Sequence, residues 1–355
     1  MENKEYINSF DSYRQLENAI TSVVTSANWN KNTKTHNRAM RFLLQNQKQF
    51  WVPEEIALTR DVRSWNKLSD DEKKAYMQVL GGLTMLDTLQ GDIGMPSISE
   101  AVDNHYDKTV LTFMAAMENS VHARTYSVIF NTLATQEEND DIFDWLEDNK
   151  FIQAKANIIR GYYNNVKSDN NKSVMLGMFA SIMLESFLFY SGFFYPLYFH
   201  GKGQLTGSGE MIKLILRDES IHGVYVGELF QDRYNGLPED EQEEMKEICY
   251  NMMFDLYENE IAYTHYVYDK VGLSNDVLDF LKYNANKALQ NAGFPEYYEH
   301  GDLNPLVMRS ISGEAGAKHD FFSAKGAEYL KANVEPLDNK AFDLSDIYDK
   351  LGLSN

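Results

Sequence analysis

The chain has 355 residues, a length that on its own suggests two domains. Its 33 Lys and Arg against 53 Asp and Glu leave a formal net charge of −20, which argues against nucleic acid or an anionic membrane as partner, since both are polyanions. The single cysteine, Cys249, excludes a disulfide framework and any cysteine-ligated zinc or iron–sulfur cluster, and it fits a reducing cytoplasm.

Glycine and proline together make up about 8% of the chain against roughly 12% in average usage, which favours long helices over a many-turned sandwich. The first residues, Met-Glu-Asn-Lys-Glu-Tyr, lack the basic-then-apolar pattern of a signal peptide. Residues 1–27 read as a polar extension, with a short helix over 12–24. A connector rich in Asn, Lys and Thr follows over 28–37. Ser69-Asp-Asp-Glu72 is a capping box that opens a helix over 73–90, and residues 91–97, with Pro96, break it. Further helices are expected over 108–133, 140–167 and 174–199, the last ended by Pro196 and Gly201-Lys-Gly203. Residues 210–234 form the next, stopped by Asn235-Gly-Leu-Pro238, and 239–271 and 274–292 continue the pattern. No internal repeat and no sustained alternating strand pattern interrupts it. The expected organisation is all-α: one large helical domain over 28–325, followed by a flexible polar tail over 326–355.

The run VMLGMFASIMLESFLFYSGFFYPLYF over 174–199 is long enough to cross a bilayer and carries one formal charge, Glu185. A helix that is apolar all round equally suits the centre of a large bundle. The rest of the chain is strongly polar and holds no second such run, so the core reading is preferred and no membrane is expected. Glu185 then needs a partner, because an isolated buried carboxylate is very costly.

The other candidates for chemistry are carboxylates and histidines on the same helices. Glu219 and His222 stand at i, i+3 in RDESIH, and Glu118 and His122 at i, i+4 in MENSVHARTY; Asp87 lies in LTMLDTLQG. Singly, each has a plain reading as a solvated face, a cap or a polar spot. Together, two Glu–His pairs and two single carboxylates on four helices match the ligand set of di-iron and di-manganese carboxylate bundles, which are ferritin-like. Four carboxylates neutralise two divalent ions, so such a site can be buried. Oxygen and imidazole donors suit iron and manganese, and the lack of thiolates disfavours copper(I) and structural zinc.

The stretches KQFWVPEEIAL, GLTMLDTLQGDIGMP, MENSVHARTYSVIF, MLESFLFYSGFFYPLYF, LILRDESIHGVYVG and YNANKAL make the likeness specific. Over roughly residues 28–336 the chain resembles the small, radical-generating subunit of class I ribonucleotide reductase, of the Gram-positive type within class Ib. The resemblance implies that Asp87, Glu118 and His122 bind one ion and Glu185, Glu219 and His222 the other, with bridging carboxylates between two Mn or two Fe. The family's usual Glu-x-x-His would put a ligand at Asn119, whereas here the acid is Glu118; a π-bulge accommodates the longer spacing, which Gram-positive members share. Glu118 is the expected ligand and Asn119 the second choice.

Tyr126, one turn beyond His122 on the same face, is implied as the stable tyrosyl radical, walled by Phe189, Phe193 and Ile215. Trp51 would hydrogen-bond Asp218, which would contact His122, giving an electron route, and Tyr348 in the tail would pass the radical onward. The implied function is radical generation for a separate large catalytic subunit that makes deoxyribonucleotides. A homodimer is implied, and a flavodoxin-like activating protein if manganese is used. The rivals are a ferritin-like di-metal oxidase or monooxygenase, an iron-storage subunit and a metal-free helical scaffold.

Overall fold

The computed structural model describes residues 25–312, and these are helical with no strand among them. The 12–24 helix, the tail over 326–355 and Tyr348 lie outside the described residues. Helix α1 spans Lys34–Lys48 and is capped by Thr33, whose side chain accepts from the His36 N–H; the connector therefore ends at this cap rather than at Asn37. After the short α2, Asp61–Trp65, the Ser69–Glu72 capping box opens α3, Asp70–Leu89. No break follows. A π-turn, Gln90–Gly94, runs into α4, Met95–Ala101, with Pro96 as its second residue, just past the wide turn that displaces the regular α-helical ladder.

Helix α5, His105–Met117, continues through a π segment, Glu118–Ala123, into α6, Arg124–Leu133. The single helix expected over 140–167 is two, α7 (Gln136–Asp148) and α8 (Lys150–Asn164). Asn149 divides them: its backbone is extended and its side chain accepts from the Phe151 and Ile152 N–H groups. Next come α9 (Asn171–Met183), a π segment (Leu184–Leu188) and α10 (Tyr190–Gly201). Pro196 lies inside α10 instead of ending it; burial of this helix on all sides outweighs the propensity penalty. The described residues finish with α11 (Thr206–Tyr234), α12 (Glu239–Tyr268), α13 (Ser274–Asn291) and α14 (Pro305–Ser312).

The buried residues form one apolar core with α9 and α10 at its centre, packed against α11, α3, α13 and α14. The membrane-length stretch Asn171–Gly201 is 89% buried over its most apolar window, so its hydrophobicity is spent on the interior. Gly223 on α11 lets that helix press onto the Glu185 turn: a Cβ there would meet Ser186 Oγ at 2.3 Å.

Buried polar ties lock the helices around this core. Arg38 on α1 donates to Asp107 Oδ2 at 3.1 Å, and Tyr225 on α11 donates to Asp107 Oδ1 at 2.6 Å. Asp61 caps α11 from outside it, accepting from Gly207 N at 2.9 Å and Ser208 N at 2.7 Å. Lys155 on α8 pairs with Glu260 on α12, both fully buried, and its Nζ sits 3.9 Å from the Tyr263 ring centroid. Burial pushes the Lys155 amine down, and Glu260 opposes that shift. Lys155→Met would strand the Glu260 carboxylate in the core, so urea unfolding is expected to show a loss of about 3–5 kcal/mol. A loss below about 1 kcal/mol would mean that Glu260 finds water or another partner there.

Candidate metal centre

The six sequence-derived donors meet in the middle of the bundle, each fully buried. Asp87 comes from the last turn of α3, Glu118 and His122 from the π segment after α5, Glu185 from the π segment after α9, and Glu219 and His222 from α11. The donor atoms form two overlapping groups, Asp87–Glu118–His122–Glu219 and Glu118–Glu185–Glu219–His222, within each of which all lie within 4.8 Å of one another. Glu118 and Glu219 belong to both. His122 Nδ1 is 2.9 Å from Glu219 Oε1 and 3.1 Å from Glu118 Oε2. His222 Nδ1 is 2.8 Å from Glu118 Oε1, 3.4 Å from Glu219 Oε2 and 3.6 Å from Glu185 Oε2.

Glu118 and His122 both face the cluster from the π segment. Four residues turn an α-helix by about 400°, so an i, i+4 pair sits about 40° apart and shares a face even on a regular helix. Asn119 points outward, where its Nδ2 donates to Asp92 Oδ1 at 2.8 Å. Helix α11 is regular, and the i, i+3 spacing of Glu219 and His222 suffices there.

The donor set fits a pair of divalent ions. Both oxygens of Asp87 and of Glu219, one oxygen each of Glu118 and Glu185, and both ring nitrogens of His222 are buried without a hydrogen-bond partner. Such orphaned groups are expensive in a protein interior unless something else binds them. They aim at one another from four helices without hydrogen-bond alignment, the arrangement of ligands around a shared centre. Oxygen and nitrogen donors of this kind suit manganese and iron.

In the bare site the crowding favours bound protons. Burial first, and then the charges of Glu118 and Glu219, push Asp87 well above the usual carboxylate range, and burial with Glu219 and Glu118 does the same to Glu185. Burial works against the protonated histidines but is outweighed by the carboxylates around them, so His122 and His222 are lifted. Glu219 is held low despite burial, by the adjoining Glu185 carboxyl and by His122. Metal binds the deprotonated donors, so loading should release protons and weaken as pH falls from about 8 to 6. Calorimetric titration in buffers of different ionisation enthalpy measures that release, and uptake indifferent to pH would contradict it.

Around the cluster, Asp218 Oδ2 accepts from Trp51 Nε1 at 2.8 Å and from His122 Nε2 at 3.2 Å. A carboxylate only accepts, so His122 carries a proton on Nε2 and, with metal bound, would present a bare Nδ1 to the cluster. Gln49 Nε2 donates to Asp218 Oδ1 at 2.7 Å, and Arg217 Nη2 donates to the Gln49 carbonyl at 2.6 Å. Sequence reasoning missed both, although Gln49 sits in the same KQFWVP motif as Trp51. Tyr126 is fully buried and its hydroxyl has no aligned hydrogen-bond partner. Burial and the neighbouring Asp87 push this phenol well above its ordinary pKa. Phe189, Phe193 and Ile215 are all fully buried, with the two phenylalanine ring centroids 5.7 Å apart.

The ribonucleotide reductase small chain family profile matches residues 28–305. The chain belongs to the ribonucleotide reductase small chain family. It is 51% identical over 327 residues to the ribonucleoside-diphosphate reductase subunit beta of Bacillus subtilis, an alignment covering 92% of this chain and 98% of that one. The ribonucleoside-diphosphate reductase 2 subunit beta of Escherichia coli is 38% identical, over 87% of this chain and 95% of its own. Among solved structures, dimanganese(II) NrdF from Streptococcus sanguinis superposes with a TM-score of 0.77 at 43% identity, covering 81% of this chain and all of that one. These likenesses make the chain a small subunit of a class I ribonucleoside-diphosphate reductase with a ferritin-like helical fold, and they favour that role over an oxidase or monooxygenase on the same scaffold.

Proposed function

We propose that this subunit holds two manganese ions and uses them to store an oxidising equivalent as a radical on Tyr126. The observation that carries the reading is the pair of overlapping, fully buried donor groups sharing Glu118 and Glu219, with Tyr126 beside Asp87. Asp87, Glu118, His122 and Glu219 would hold one ion, and Glu118, Glu185, Glu219 and His222 the other. The S. sanguinis relative is a dimanganese(II) protein, which favours manganese here. When bound and oxidised by dioxygen or a reduced oxygen species, the ions would supply the one-electron oxidising power that a protein of ordinary side chains lacks.

The chain's own residues do the rest. Tyr126 gives up an electron and its phenolic proton; a buried phenol cannot keep that proton as a stranded cation, and the Asp87 carboxylate, deprotonated once metal is bound, is the group placed to take it. The full burial of Tyr126 keeps water and reductants from the radical. Trp51, Asp218 and His122 stand in hydrogen-bonded series, a route by which an electron returns to Tyr126 while Asp218 holds the indole N–H. Tyr348 would carry the relay toward the large catalytic subunit, whose cysteines perform the nucleotide chemistry; here Cys249 is buried with its thiol pKa pushed well up by burial. A cytoplasmic homodimer and a flavodoxin-like activator complete the reading.

Metal analysis with electron paramagnetic resonance on the purified subunit, loaded separately with manganese and with iron and then exposed to dioxygen or a reduced oxygen species, tests it. Two ions per chain and a tyrosyl signal are expected. A chain retaining fewer than one ion, or forming its radical at another tyrosine, would overturn it.

A further inference from the structure

The two candidate metal positions are not supported alike. On Asp87 both carboxylate oxygens are without a hydrogen-bond partner, whereas on Glu185 only Oε2 is. Glu185 Oε1 accepts from Nε2 of Gln90, a fully buried residue at the first position of the π-turn that follows Asp87. The same Nε2 donates to Ser181 Oγ at 2.8 Å, one helical turn before Glu185, and Gln90 Oε1 accepts from the Tyr163 hydroxyl at 2.5 Å. A metal-binding carboxylate oxygen only accepts, which fixes the amide with its NH2 toward Glu185 and its oxygen toward Tyr163. Both amide hydrogens and the amide oxygen are thereby used.

The backbone also makes room for this arrangement. A Cβ on Gly94 would lie 2.3 Å from Gln90 Oε1 and 2.7 Å from the Tyr163 ring, so only glycine at 94 lets Gln90 and Tyr163 meet there. Tyr163 is buried on α8, a helix that contributes no metal donor, and its hydroxyl bonds Gln90. The unpartnered Glu185 Oε2 is the atom that faces His222 Nδ1, at 3.6 Å.

We propose that Gln90, locked by Tyr163 and Ser181, is a positioning residue that occupies one oxygen of Glu185 and leaves that carboxylate to bind its ion through Oε2 alone. Asp87, with two free oxygens, is not restrained in this way, so the two positions differ in how tightly their geometry is set. The inference rests on the two-ion reading above and concerns the position formed by Glu118, Glu185, Glu219 and His222. Gln90→Leu keeps a side chain of similar size but removes the donor, and Tyr163→Phe removes only the hydroxyl that orients the amide.

Metal-free wild type, Gln90→Leu and Tyr163→Phe are titrated with Mn(II), with free and bound ion followed by paramagnetic resonance. Gln90→Leu is expected to weaken one of the two binding steps by about 10- to 100-fold and the other by less than about 3-fold, with the fine structure of one bound ion altered. Tyr163→Phe should weaken the same step by a smaller factor, and it carries the test alone if Gln90→Leu does not fold. Equal weakening of both steps, or no change in either, would overturn the positioning role. Wild type that binds fewer than two ions would instead sink the two-ion reading, so the two failures are distinguishable.

Discussion

Tyr126→Phe is expected to abolish nucleotide reduction with the large subunit while leaving two ions bound. The substitution removes one oxygen and keeps the ring, so packing barely changes. The hydroxyl it removes is buried without an aligned partner, and losing an unsatisfied buried group of this kind is neutral or stabilising by about 1 kcal/mol. The variant should therefore melt at or slightly above the wild-type temperature, with full metal occupancy and no tyrosyl signal in paramagnetic resonance. Stability and function separate because the unsatisfied hydroxyl serves redox chemistry rather than packing. Reduction at wild-type rates would place the stored oxidising equivalent elsewhere, on the ions themselves.

Glu118→Gln is expected to have the second large effect, and a different one with and without metal. Glu118 belongs to both donor groups, so neutralising it withdraws a charge from both ions at once. Removing one partner from a buried charge set typically costs about 3–5 kcal/mol, which corresponds to roughly two to four orders of magnitude in metal affinity. The metal-free protein should respond far less. The Glu118 charge raises Asp87 and Glu185, but it also helps to hold His122 and His222 protonated, so in the bare variant relieved repulsion and lost attraction oppose each other and the melting temperature should shift little. Melting curves with and without Mn(II) measure both effects, since ligand stabilisation grows with affinity. Asn119→Ala serves as the contrast: its side chain reaches Asp92 at the surface, and metal retention should be unchanged. If Asn119→Ala lost the ions and Glu118→Gln kept them, the assignment of the bridging carboxylate would be reversed.

What the sequence determined by itself was whatever depends on local period and composition. Few glycines and prolines, the Ser69–Glu72 capping box and an apolar run interrupted by Glu185 were enough for a helical bundle with a polar centre. Glu219 and His222 were legible because α11 is regular, and three residues of spacing share a face on any α-helix. The motifs also carried the family resemblance to the ribonucleotide reductase small subunit, and the family comparisons agree with it. Other features were decided by tertiary structure. Residues 91–97 read as a break, yet the chain stays helical through a π-turn, whose wider pitch displaces the regular hydrogen-bond ladder just ahead of Pro96. The helix expected over 140–167 divides at Asn149, where a side-chain cap competes with the helix. Whether Glu118 or Asn119 faces the centre is not fixed by the spacing to His122, since i, i+3 and i, i+4 both share a face; in the folded chain Glu118 lies in both donor groups and Asn119 bonds Asp92. Gln90, Tyr163, Lys155, Glu260, Arg38 and Asp107 were invisible as a sequence pattern for one physical reason. A buried polar residue is explained by its partner, these partners lie far apart along the chain, and only the folded core brings them within bonding distance.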